Sequence, residues 1–371
     1  MRCAEAVREA LVSADPSRRV EHVDVLDFAT DWARRVYRES FLRVAARSRA
    51  LAYALYVGSD GEKPDEVRWG HFAERLAFPR FSRFVRAGGW QHCICTHPLP
   101  SQLMHPEKRP RTHMVVTDWA LHRFWVQPYV DNFFVASERV AATLLERLPR
   151  TRAHATGIPI GARFGQHFDQ RALRRDLGLD PRAPVVLVMG GGWGLGVDET
   201  VRAALAARIP GLTILAVCGA NARALHALAD LPPDRLRTFG FVADVAPLIA
   251  AADLVISKPG GVTTSETLAL GRPLLLTQGL PGHEDRNARE LTVAGAARFA
   301  DSADLAREIE QFFSDRKLRD RWTRASVLAG RPDAAERIAD FFDEPPVVEE
   351  RARRSQASVP VAAGGLRLRS S

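Results

Sequence analysis

The sequence predicts an α/β protein built on two parallel sheets, and three observations lead there. Short apolar runs alternate with helical patterns along the chain. The alternation starts afresh after Gly157-Ile158-Pro159-Ile160, which marks a boundary between two units. Glycine-rich turns follow several of the runs, at the edge where parallel sheets carry ligands. With 371 residues the chain is long enough for two separate cores. The expected organisation is a first unit at 1–159, a second at 160–343 and a disordered tail at 344–371. The tail's paired prolines, charges and small residues do not build a core.

Taken in order, Met1–Ser13 reads as a helix, Val20–Val25 as a strand and Thr30–Tyr56 as largely helical. Trp69–Arg86 is a further helix interrupted by Pro79, which lacks the N–H that a helix interior needs. Strands are predicted at His92–Thr96, His113–Thr117 and Asn132–Ala136. After the restart they are predicted at Val185–Met189, Thr213–Cys218, Ala252–Ile256 and Pro273–Thr277. Helices lie between them, among them Thr200–Ala207, Ala222–Ala229 and Ser265–Leu270. The first unit is unusual in beginning inside a helix, without the strand and glycine turn that normally open such a domain. Either that strand is absent or the given start lies downstream of it.

Composition bounds the partners. Lys+Arg 52 against Asp+Glu 44 gives a net charge of +8, which favours anionic ligands or surfaces. No nucleic-acid motif accounts for the charge. Arginines mix with apolar residues in 34–56 and again in 72–86, where Phe78, Phe81 and Phe84 recur. Such helices either lie against an anionic membrane face or pack on their own sheet with a solvated basic side. The four cysteines, Cys3, Cys93, Cys95 and Cys218, form no CxxC pair, so neither a zinc site nor a disulfide framework is expected. No apolar run is long enough to span a bilayer, and a signal-peptide core is lacking. The expected location is cytoplasmic, peripheral on the inner face of the cell membrane. No Asp-x-Asp occurs, so no metal at a nucleotide diphosphate is expected.

The most informative stretch is Ser257-Lys258-Pro259-Gly260-Gly261-Val262-Thr263-Thr264-Ser265-Glu266. Glycines and small hydroxyl residues between a buried strand and a helix leave backbone N–H groups bare, and the helix terminus adds positive partial charge. The turn therefore suits a phosphate or diphosphate. Thr263 and Glu266 allow two readings: a capping box, or a carboxylate that accepts from ribose hydroxyls. Gly190-Gly191-Gly192-Trp193-Gly194-Leu195-Gly196 misses the dinucleotide spacing, and Cys218-Gly219 stands where a ribose-binding Asp is required. A nicotinamide dehydrogenase is thus disfavoured. Gly191 and Gly192 either let backbone approach a diphosphate or a facing domain, or form a tight turn. His97, Asp118 and His122 sit at strand ends, where a histidine beside a carboxylate can serve as general base; a structural role is the alternative for each. Pro281-Gly282-His283-Glu284-Asp285-Arg286-Asn287 places a second polar cluster before another helix.

These motifs resemble the monogalactosyldiacylglycerol synthase and processive diacylglycerol glucosyltransferase family, relatives of the peptidoglycan lipid-precursor N-acetylglucosaminyltransferase. Thr96-His97-Pro98, Thr117-Asp118 with His122 and Trp125, Val135-Ala136-Ser137-Glu138 and Gly157-Ile158-Pro159 carry the likeness in the first half. The resemblance implies a GT-B fold, two Rossmann-like domains facing a cleft. It implies that Glu266 holds the ribose of a UDP-sugar and that Gly261, Thr263, Thr264 and Ser265 contact the diphosphate. Gly240, Phe241 and Val242 would lie against uracil; His283, Glu284 and Asn287 would reach the sugar. The implied activity is inverting, metal-independent hexosyl transfer to a lipid such as diacylglycerol, with the UDP-sugar as co-substrate and no cofactor. The family's first strand and glycine-histidine turn, which carries its base, have no counterpart in these residues. His97 or His122 would then serve instead, or the chain would be a catalytically impaired UDP-sugar-binding relative. A UDP-sugar 2-epimerase of the same architecture is the other alternative.

Overall fold

The computed structural model describes residues 2–35, 77–104 and 109–343. In the first half, β1 (His92–Cys95), β2 (Arg111–Val115), β3 (Asn132–Phe134) and β4 (Arg152–His154) form one parallel sheet in that order. Helix α1 (Arg2–Ala14) precedes them, and α2 (Pro79–Ala87), α3 (Pro98–Leu103) and α4 (Glu138–Arg147) lie along the chain between or before strands. Ser137 caps α4 by accepting from the Val140 N–H at 3.4 Å, leaving one fewer orphan donor at that terminus. The break expected at Pro79 falls at Phe78, and the proline opens α2 as its first residue, where its missing N–H costs nothing.

The second half contains α5 (Gln170–Asp176), β5 (Val185–Met189), α6 (Val197–Leu205), β6 (Thr213–Val217), α7 (Ala222–Ala227) and β7 (Leu236–Phe239). It continues with α8 (Ala246–Ala251), β8 (Leu254–Ser257), α9 (Gly261–Ala269), β9 (Leu274–Leu276), α10 (His283–Val293) and β10 (Arg298–Phe299). The parallel sheet runs β10-β9-β8-β5-β6-β7. Its central strand β5 is buried at all five residues, so it reads as a continuous apolar run. Alternate residues face opposite ways: Val185, Leu187 and Met189 join one core, and Val186 and Val188 the other. Helices cover both faces, as a parallel sheet requires.

After α11 (Leu305–Ser314) and α12 (Arg316–Ala329), α13 (Ala334–Asp343) returns to the first half. Its Ile338 and Ala339 pack with Val7 and Leu11 of α1 and with Val115 and Phe134 of the N-terminal sheet. The return passes Gly157, whose φ is +95° and whose Cα faces Arg331 and Ala334 so closely that an added Cβ would lie 2.6 Å from the Arg331 Cβ.

Several expectations change. Val20–Val25 is not a strand: Asp24 accepts from the Leu26 N–H at 2.9 Å and starts a short 3-10 turn, Val25–Phe28. Its carboxylate competes for the backbone donor that a ladder would use. The helix expected at Ser265–Leu270 begins at Gly261. Most of Thr30–Tyr56, and Trp69–Arg86 before Ala77, lie outside the described residues, as does the tail.

Beneath α13 lies a polar row crossing the first sheet. His92 Nδ1 meets His113 Nε2 at 3.0 Å, and Asn132 bridges His113 at 3.2 Å and His154 at 3.3 Å. Phe341 and Phe342 stack edge-on over His113, with centroids 5.9 and 4.9 Å away. Burial, with His92 and Arg111 adding to it, lowers the His113 imidazole to about 3 against the pull of Asp131. Unfolding therefore takes up a proton between about pH 6.5 and 3, and stability falls as pH drops through that window. We expect His113→Gln to flatten this acid-side slope in urea unfolding followed by circular dichroism; an unchanged slope would show that His113 does not set it.

Candidate donor-binding cleft

Parallel order places three turns together. The turns after β5, β8 and β9 leave the same edge of adjacent strands, so the glycine loop 190–196, the 257–261 turn and the 281–287 cluster converge there. Helix α9 starts within this convergence, capped by the backbone of Gly260 and by no side chain. Its first three N–H groups, on Gly261, Val262 and Thr263, have no intrahelical acceptor by helix geometry. With the helix dipole behind them, they form the anion-facing end of the turn.

Because α9 starts four residues early, Thr263 and Glu266 are interior helix residues and the capping-box reading is excluded. Thr264 and Ser265 are buried, and their hydroxyls donate back to the helix, each to the Gly261 carbonyl, at 3.0 and 2.8 Å. Neither hydroxyl is therefore directed at an anion, and the Thr264 N–H is already bonded to the Gly260 carbonyl at 3.1 Å. Glu266 is 2% exposed and accepts from Arg2 Nη1 at 3.2 and 3.4 Å. Burial pushes its carboxyl up to about 7, against the opposing effect of Arg2. Sequence patterning pointed to Glu266 but not to Arg2, which enters from a helix 264 residues away.

The remaining donor candidates fall around this centre. Lys258 forms an ion pair with buried Glu284, whose other oxygen accepts from the Leu280 N–H. His283 Nε2 lies 4.0 Å from the same Glu284 oxygen. Lys258 also flanks the glycine loop, its Cε 3.0 Å from where a Gly191 side chain would begin. The Gly192 carbonyl accepts from Ala220 N–H at 2.9 Å, and a Gly194 Cβ would lie 1.8 Å from the Cys218 carbonyl oxygen. At Gly194 the loop is thus packed backbone-to-backbone on the turn after β6, leaving no room for a side chain there. Beyond β7, Gly240 leads to Phe241, which is 70% exposed, and to Val242, which packs on the core.

The first half closes over the turn. Thr117 brings its carbonyl oxygen against Gly261, where a Cβ would approach it to 1.9 Å, so only glycine fits. Trp119 Nε1 donates to Thr264 Oγ1 at 2.8 Å. Asn287, fully buried, donates from Nδ2 to Asp118 Oδ1 at 3.0 Å and to the Pro259 carbonyl at 3.1 Å, and accepts from the Ala120 N–H at 3.0 Å. Asp118 Oδ2 accepts from Trp125 Nε1 at 3.0 Å, and the Trp125 ring stands 6.5 Å from His97. His97 keeps an exposed face, while the protein mass around it lowers its pKa against the raising effect of Asp118. Its Nδ1 accepts from the Leu99 N–H at 3.2 Å and so caps α3. His122 is 2% exposed, and its Nδ1 accepts from the Phe124 N–H at 3.1 Å. Both histidines thus cap a turn through Nδ1, His122 buried and His97 exposed, and Trp125 stands between Asp118 and His97.

The Glu266 carboxyl has a folded pKa near 7 against 4.5 when unperturbed. The folded chain then holds the extra proton between those values, so this group stabilises at low pH and its contribution is lost as pH rises toward 7. We expect Glu266→Gln to remove that alkaline-side decline, read as the melting temperature from pH 4.5 to 7.5. A variant whose profile overlays that of the unaltered protein would show that Glu266 ionises normally.

Comparison with known proteins agrees with this geometry. Residues 1–160 match the family model for monogalactosyldiacylglycerol (MGDG) synthase, and residues 185–338 match that for the glycosyltransferase family 28 C-terminal domain. Processive diacylglycerol beta-glucosyltransferase from Bacillus licheniformis is 31% identical over 235 residues, 60% of this chain and 60% of that protein. The matched segment thus spans about three-fifths of that relative's length. MurG of Acinetobacter baumannii aligns with a TM-score of 0.53 at 18% identity, over 74% of this chain and 79% of that one. HepE of Anabaena, in complex with UDP, aligns with a TM-score of 0.51 at 18% identity, over 73% and 83%. The chain therefore has the GT-B fold, with a first half similar to MGDG synthase and a second half similar to the glycosyltransferase family 28 C-terminal domain.

Proposed function

We propose that this chain transfers a hexosyl group from a UDP-sugar to the hydroxyl of a diacylglycerol-type lipid at a membrane face, with inversion and without a metal ion. The observation that carries the reading is the α9 terminus, whose first N–H groups lie outside the helical ladder, with the buried carboxyl of Glu266 one turn further along the helix. The match to diacylglycerol glucosyltransferases supplies the substrate class. In this reading the diphosphate meets the N–H groups of residues 261–263, and the ribose hydroxyls donate to Glu266. Phe241 and Val242 border the base, and Lys258, Glu284 and His283 border the sugar. The lipid hydroxyl attacks the anomeric carbon in line while His97, its Nδ1 released from the Leu99 N–H and its charge favoured by Asp118, takes the proton. The carbon–oxygen bond to the diphosphate breaks, and UDP leaves with its developing charge held by the helix terminus. The closed contacts of residues 117–120 limit access of water, which would otherwise compete with the lipid hydroxyl.

Helix α2 fits a surface-bound protein. Arg80, Arg83 and Arg86 are exposed, whereas Phe81 is buried and Phe84 stacks on Phe28 and Trp90 with centroids 5.0 and 5.7 Å away. Its aromatic residues are spent in the core, so this segment meets a bilayer by charge and not by insertion. No helix among the described residues is long and apolar enough to cross a membrane.

Removing the acceptor of a charge-assisted hydrogen bond costs about 1.5–3 kcal/mol. Glu266→Ala should accordingly weaken UDP binding by about 10- to 100-fold in calorimetry; retained affinity would rule out the ribose role. Labelled hexose should move from UDP-glucose or UDP-galactose into chloroform-extractable lipid only when diacylglycerol vesicles are present. Turnover of the nucleotide sugar without any lipid would favour an epimerase. Reversing Arg80, Arg83 and Arg86 to Glu should lower co-sedimentation with anionic vesicles at low salt and leave little difference at high salt. Equal sedimentation would count against α2 as the contact surface.

A further inference from the structure

The residue expected to reach the sugar, Asn287, has no donor left for it. A carboxamide offers two N–H donors and one oxygen; here both donors are used, on Asp118 Oδ1 and the Pro259 carbonyl, while the oxygen holds the Ala120 N–H. Three of these partners matter differently. Pro259 belongs to the anion-facing turn, whereas Asp118 and Ala120 belong to the opposite half of the molecule. Asn287 is fully buried, so breaking this set would strand polar groups away from water.

We propose that Asn287 is a positioning residue: its carboxamide clasps residues 118–120 to the donor turn and so fixes Asp118, whose other oxygen holds Trp125 beside His97. This rests on the transferase reading above. Asp118 is held by one oxygen from each half, Oδ1 by Asn287 and Oδ2 by Trp125. Trp125 in turn stands edge-on to His97. The carboxylate is therefore aligned only when the two halves are engaged. Trp119 bonding to Thr264, and Thr117 seated on Gly261, come from the same four-residue segment. Engagement thus joins the donor turn and residues 117–120 in a single contact set.

The test uses the whole chain. Asn287→Asp loses both donors and sets a carboxylate against Asp118, so the segment should detach. Amide exchange at Ala120, measured by NMR or peptide mass spectrometry without nucleotide, should become faster. In transfer assays kcat should fall about 100-fold, with UDP affinity changed by less than about threefold and the melting transition still cooperative. The swapped pair, Asp118→Asn with Asn287→Asp, restores a donor facing an acceptor and should recover the slow Ala120 exchange. Unaltered Ala120 exchange in the single variant, failure of the swapped pair to recover it, or a loss confined to the KM for the UDP-sugar would overturn the proposal. Failure of the unaltered chain to take up UDP would sink the donor reading instead, because the exchange measurement needs no nucleotide.

Discussion

The structure depends on one close approach: the Thr117 carbonyl resting on Gly261 at the first turn of α9. Any side chain at residue 261 would hold the halves apart, since even a Cβ would come within 1.9 Å of that oxygen. Once that approach is allowed, the neighbouring residues have no choice of partner. Trp119 reaches Thr264, and residues 118 and 120 reach Asn287, all within a buried, low-dielectric seam where unpaired groups are costly. The seam is therefore polar yet satisfied, and its geometry is specified more sharply than an apolar contact would specify it.

Electrostatics follows from the same seam. The carboxyl of Glu266 is enclosed deeply enough that burial dominates over the nearby Arg2, and so it titrates near neutrality. His97 is shifted the other way by its surroundings, with Asp118 opposing.

How much of this was legible in the chain depended on range. The donor turn was legible because glycine and hydroxyl residues between a buried strand and a helix have a local meaning, and the central strands because β5 and β8 are uniformly apolar. Of the edge strands, β1 was legible but β4, β7 and β10 were not. β4 is Arg-Ala-His and β10 is Arg-Phe, each half-solvated and too short to show a period. Val20–Val25 looked like a strand until Asp24 claimed a backbone donor. The helix start at Gly261 was missed because glycine is a poor helix former, and tertiary contact overrode propensity. The pairs that complete the site, Arg2 with Glu266 and Asp118 with Asn287, join residues 264 and 169 positions apart. Nothing local marks such partners, so the sequence offered Asn287 to the sugar when its carboxamide is already engaged.

The return of the last helix has a mechanical consequence. The chain passes between the halves twice, once around Gly157 and again at Arg331 and Ala334, and these two passages touch. A side chain at residue 157 would wedge these crossings apart, and with them the halves whose meeting seats residues 117–120 on the helix terminus.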